Sequence, residues 1–330
     1  MEEERQETVD VLIMRITIPE CKEVFGDDGD NNRTFLYVQI QLMIMVRGLH
    51  EQYHHLGIGE PDYAETAIID DAVRALSSFY TLADLRQDYN SCAVILRSLV
   101  DKIAVLKLIY ANPNDCERTF RHLVYCLDGI EERNNMLDKR IVKNEHITDK
   151  EFQELDAQME GARINTRDSI SFITSEIQNH QYFNENPDWV RTVIGKKKIW
   201  QYREKFRYDS SGKKVPSYSW KEMYKLIDNR EGIASFYSAY LSQFVHGLSL
   251  SSLLFHEDED NFESLLSAGI CLQGCIIEEV RCRYNGMERL KSNVTMSDFN
   301  VLFSILGKER QDKIIDGLKN ILEIKAQDTD

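Results

Sequence analysis

Hydrophobic residues recur every three to four positions over most of the chain, the repeat of a helix with one buried face. Residues 92–111 (CAVILRSLVDKIAVLKLIYA) are apolar nearly all round, which predicts a central helix buried on several sides. Asn114 or Asp115 can cap a following helix that runs to about Asn144. Thr148 and Glu151 form a capping-box pattern that opens another, ending near Tyr182. Further helices fit residues 219–228, 232–255, 260–284, 296–306 and 308–324. Phe35, Val38, Leu42, Met45, Leu49 and Leu56 favour a helix, although the same run also alternates at period two. Residues 9–18 are β-branched and alternating, which predicts a strand. Turn residues at 112–114, 186–187, 210–212 and 256–260 separate these elements. The expected fold is all-α, a multi-helix bundle with one short β-hairpin or strand at the N-terminus. An N-terminal segment (1–61) precedes a main helical domain (62–330), which a basic, aromatic insertion interrupts at 187–218.

Charge alters this picture in one place. The chain carries a net charge of -15. Between residues 191 and 225, eleven Lys or Arg meet only three acids. The three tryptophans, Trp189, Trp200 and Trp220, lie in or beside this stretch. Basic residues interleaved with aromatics suit a phosphate-bearing or single-stranded partner. The acidic remainder argues against a general nucleic-acid binder, so any such binding is expected to be local to this patch. The acidic run at 256–263 is a second candidate partner for it, within the chain or across a homo-oligomer. No signal peptide opens the chain and no apolar run reaches a membrane span, so a cytoplasmic protein with reduced thiols is expected.

Three sets of residues are candidates for chemistry. Residues 232–255 have an aromatic stripe that includes Tyr240, and a serine stripe that includes Ser242. His246 follows Ser242 by one helical turn. Such a histidine is a packed core residue or an acid/base lining a polar cavity. Arg97 and Asp101 stand four apart in the most apolar helix, where charges need partners. They form a structural ion pair, or a site in which Arg97 holds an anion and Asp101 orients a basic group. His50, Glu51 and His54 spell the H-E-x-x-H zinc pattern, with Glu60 where a third ligand falls. A solvent-facing cluster is the preferred reading there, because Gly57 and Gly59 end the helix just beyond His54.

Residues 95–113 (ILRSLVDKIAVLKLIYANP) resemble the central helix of a group of bacterial all-helical proteins with a domain of unknown function. That group shows Arg-x-x-x-Glu, a Trp-containing stretch, and a Tyr-x-x-x-Ser-x-x-x-His-Gly helix. The matching positions here are Arg97 and Asp101, then Trp200 or Trp220, then Ser238 or Tyr237, Ser242, His246 and Gly247. More distantly, the helices are similar to the HEPN superfamily of nucleotide-binding and ribonuclease modules. The resemblance implies a nucleotide or RNA phosphate as ligand, with His246, Arg97, Asp101 and Ser242 at the centre. Tyr240, Lys196, Lys197, Lys198, Trp200 and Trp220 would supply binding contacts, and no cofactor is expected. A non-enzymatic dimeric interaction module is the alternative, and a zinc hydrolase at His50 and His54 a second one.

Overall fold

A computed structural model of the protein describes residues 31–138, 145–185, 200–208, 211–212, 214–227, 233–245, 259–283, 312 and 316. Helices dominate these residues, so the fold class is all-α. In chain order they are α1 (Asn31–Tyr53), α2 (Pro61–Thr81), α3 (Tyr89–Val105), α4 (Asp115–Asp138) and α5 (Asp149–Asn179). Next come α6 (Gln181–Glu185), α7 (Trp220–Tyr224), α8 (Ile233–Val245) and α9 (Glu259–Arg283). A π-helical turn, Leu82–Arg86, precedes α3, and a second, Leu106–Tyr110, continues it. Among the described residues, no helix is long and apolar enough to cross a membrane.

The chain divides into two compact units. The first comprises residues 1–55, 64–107 and 221–330. In it, Phe35, Val38, Leu42, Met45 and Leu49 of α1 are all buried. Their spacing settles the two competing periodicities in favour of a helix, and each burial is worth about 1.5–3 kcal/mol. α3 buries Cys92, Leu96, Leu99 and Ile103 and packs against both α8 and α9. It is therefore the central helix that its all-round apolarity predicts. Asp88 caps it, accepting from the Ser91 backbone N–H at 3.1 Å. Gln87, just before, has φ +49°, the left-handed conformation that closes the preceding π turn. Two buried glutamines tie α1, α2 and α9 together. Gln39 Nε2 donates to the Val73 carbonyl and the Ser77 hydroxyl. Gln273 Nε2 donates to the Phe35 carbonyl and Gln39 Oε1. Lys107 meets Glu278 at 2.7 Å and Glu279 at 2.5 Å. Burial pushes the Glu279 carboxyl up, and Lys107 opposes that rise.

The second unit comprises residues 56–63 and 108–220. Its centre is the pairing of α4 with α5. The predicted capping box is present: Thr148 Oγ1 accepts from the Glu151 N–H, and Glu151 returns a bond to the Thr148 N–H. α5 ends at Asn179 rather than near Tyr182, where His180 turns extended and a one-turn helix follows. Strands β1 (Tyr202–Tyr208) and β2 (Lys214–Ser217) form an antiparallel hairpin. Tyr202 pairs with Ser217 and Tyr208 with Lys214. Gly212, between the strands, has φ +77°, a conformation a side chain would strain. The basic insertion thus holds the one strand pairing found among the described residues. The strand expected at 9–18 lies outside the described residues, as do the helices expected at 296–306 and most of 308–324.

Candidate polar site on the central helix

One guanidinium gathers polar groups from three helices of the first unit. Arg97 projects from α3 and ion-pairs with Asp101, one turn further along. Its Nε donates to Ser242 Oγ on α8 at 2.8 Å. Its Nη2 donates to Tyr224 Oη on α7 at 2.9 Å. Tyr224 in turn donates its hydroxyl proton to Asp101 Oδ1 at 2.8 Å. Ser242 donates to the Ser238 carbonyl at 2.6 Å, the back-bond of a serine one helical turn on. Ser242 and Tyr224 therefore each accept from Arg97 with a lone pair while passing their own proton elsewhere.

The cluster lies at the edge of the buried core. The Arg97 side chain is 18% exposed and Asp101 35%. Tyr224 is buried, and burial raises its pKa above the ordinary phenol value. A hydrogen bond with Ser238 and the Arg97 charge oppose that rise, and Asp101 adds to it. The phenol is thus a neutral donor at ordinary pH. A guanidinium has five N–H donors, and three of its nitrogens already face protein groups here.

Of the residues expected to share this site, Arg97, Asp101 and Ser242 do meet. His246 lies outside the described residues, immediately after Val245, the last described residue of α8. Lys196, Lys197 and Lys198 are outside as well. Tyr240 Oη pairs with Tyr89 Oη at 3.0 Å. Trp200 and Trp220 belong to the second unit, where their rings meet edge-to-face with centroids 6.1 Å apart.

Sequence reasoning missed the bridging role of Tyr224. It also missed the buried charge of the second unit. Arg121 there is 2% exposed, pairs with Glu117 at 2.7 Å, and donates to the carbonyls of Trp200 and Tyr202. Glu117 and Arg121 stand four apart on α4, the same signal that singled out Arg97 and Asp101.

The zinc pattern draws no support from this geometry. α1 stops at Tyr53, and His54, past its end, turns Nδ1 to the Glu51 carbonyl at 2.9 Å. His50, His54 and Glu60 are all exposed. Among the described residues, no group of three His, Cys, Asp or Glu stands close enough to hold a metal. Cys92, Cys116, Cys126, Cys271 and Cys275 are free thiols, and burial pushes Cys92 and Cys126 up to about 12, which favours their protonated form at neutral pH.

Comparison with known proteins gives no family model, curated protein or solved structure that matches this chain.

Proposed function

We propose that this chain is a helical module that binds, and with His246 cleaves, a nucleotide or RNA phosphate at the Arg97 cluster. One observation carries the reading: a partly open guanidinium receives two hydroxyls and a carboxylate from three different helices. Arg97 is the anion ligand, since its planar fork matches two phosphate oxygens at once. The hydroxyls of Tyr224 and Ser242 hold that fork in place, because each accepts from a different guanidinium nitrogen. Asp101 neutralises Arg97 when no anion is bound and keeps the Tyr224 hydroxyl aimed at itself. His246, one helical turn after Ser242 in sequence, supplies a group that titrates near neutral pH and can move a proton at the leaving oxygen.

The test is hydrolysis of a short RNA across pH 6–8. The parent protein is expected to cleave, and His246→Ala to lose at least about a hundredfold in rate while keeping its helical circular dichroism. Full activity in His246→Ala would remove the histidine from the mechanism.

A second reading rests on the same contacts. Nε, Nη1 and Nη2 of Arg97 each already face a protein group, as in a clasp that fixes α7 and α8 on α3. On that reading the module acts through protein contacts and needs no ligand. Substitution of Arg97 would then lower the melting temperature and change no activity.

A further inference from the structure

The Arg97 cluster by itself has no net charge with which to draw a phosphate. Arg97 and Asp101 cancel each other, and α8 contains no charged residue. The other cation of α3, Lys102, is ion-paired with Asp71. Positive charge stands instead on α7 and the turn that follows it. Residues 221–227 belong to the first unit and carry two lysines, Lys221 and Lys225, against one acid, Glu222. Both lysines are exposed, and neither meets an acid among the described residues.

Tyr224 ties these lysines to the cluster. Its hydroxyl reaches the Arg97 guanidinium at 2.9 Å and the Asp101 carboxylate at 2.8 Å, which holds α7 against α3. Burial of Met223, Tyr224 and Ile227 seats the same stretch. The Leu226 and Ile227 N–H groups close it, donating to the Met223 and Tyr224 carbonyls at 2.9 and 3.1 Å. Lys221 lies one turn before Tyr224, and Lys225 directly follows it. With about 3.6 residues per turn, the three side chains leave the helix within an arc of about 100°. The lysines therefore flank the tyrosine that grips Arg97. Each is a compact charge on a flexible stem, able to follow a chain of phosphates without one fixed geometry.

We infer, resting on the reading that Arg97 binds a phosphate, that Lys221 and Lys225 bind the phosphates next to it and that the ligand is a free nucleoside diphosphate or triphosphate. A monophosphate leaves both lysines unused. A nucleic-acid strand needs a row of cations along its path. Among the described residues of the first unit, the unpaired lysines here are gathered on one turn, and the row does not continue across α8. Consecutive phosphates concentrate their charge within a short span, which a compact set of three cations matches.

The experiment is calorimetric titration of a nucleoside monophosphate, the matching triphosphate and a short RNA strand, with a chelator present so that no divalent cation shares the phosphates. The parent protein is expected to bind the triphosphate at least about tenfold more tightly than the monophosphate. General electrostatics works the other way, since a chain of net charge -15 repels the more highly charged ligand, and only local cations reverse that order. Added salt should narrow the difference, because both lysines are exposed. In a Lys221→Gln, Lys225→Gln double variant the ratio is expected to fall to about two or below. Both positions are exposed, so this variant keeps the fold, which circular dichroism checks. Equal binding of the two nucleotides by the parent would overturn the inference and leave the Arg97 reading standing. The same holds for a double variant that keeps the parent's preference, or for an RNA strand bound more tightly than the triphosphate. A parent that binds none of the three ligands overturns both.

Discussion

Tyr224 ties α7 to the Arg97–Asp101 pair of α3, accepting from the guanidinium at 2.9 Å and donating to the carboxylate at 2.8 Å. The Arg97–Asp101 pair was visible because both residues lie one turn apart in a helix too apolar to hold charge idly. Ser242 was visible from the serine stripe of its helix. Tyr224 joins them from 123 and 127 positions away in sequence, and no periodicity within its own short helix announces that contact. His122 was equally silent in the sequence, and its protonation state follows from its neighbours. It is fully buried, and its Nε2 faces the Ile58 carbonyl at 2.9 Å, so that nitrogen must carry the proton. Nδ1 then accepts from the Tyr110 hydroxyl at 3.0 Å. Burial lowers the His122 pKa below its ordinary 6.5. The unfolded chain therefore takes up this proton first as pH falls, and the stability contributed by the neutral ring is complete above 6.5 and declines below it. An NMR titration of the His122 ring should show an inflection below the ordinary value. An inflection at or above it would contradict the assigned neutral tautomer.

At the scale of elements, patterns contained within one helix were legible and those that depend on a partner were not. The capping box at Thr148 and Glu151 needs only residues three apart, and it formed as expected. The face of α1 was legible from the 3-4 spacing of Phe35 through Leu49. The hairpin shows in the sequence only as the turn residues at 210–212 and as the alternation of aromatic or acidic with basic residues along Tyr202–Tyr208, a pattern that a charged surface segment shares. The π turns at Leu82–Arg86 and Leu106–Tyr110 are hard to see in the sequence, because a one-residue slip of the apolar repeat within five residues is lost in its ordinary scatter. Gly269 of α9 shows how closely the helices approach. A methyl group there would stand 2.9 Å from Phe35 Cε2 and 3.0 Å from Phe79 Cε1. Gly269→Ala is therefore expected to destabilise the fold by about 1–3 kcal/mol, because two packed rings must shift. The measurement is the urea midpoint of unfolding; an unchanged midpoint would mean that α9 has room to move.

For the molecule as a whole, charge sets the terms of binding. A net charge of -15 repels phosphate at long range, so the proposed phosphate binding would have to come from local cations and would weaken with salt. Arginines with a carboxylate one turn away occur in both units, among them Arg97 with Asp101 in the first and Arg121 with Glu117 in the second. The surroundings assign them different tasks. Arg121 is buried and spends its donors on backbone carbonyls, which makes it an anchor for the hairpin. Arg97 keeps part of its side chain in contact with solvent and is held by hydroxyls, which suits exchange of a carboxylate for a phosphate. The most direct measurement of that claim is calorimetric titration of a nucleoside monophosphate into the parent protein and into Arg97→Gln, each checked for helical content. Saturable binding by the parent, weakened at least about tenfold in a folded Arg97→Gln, is the predicted result. A folded parent that takes up no nucleotide, or an Arg97→Gln variant that binds as tightly as the parent, would contradict it.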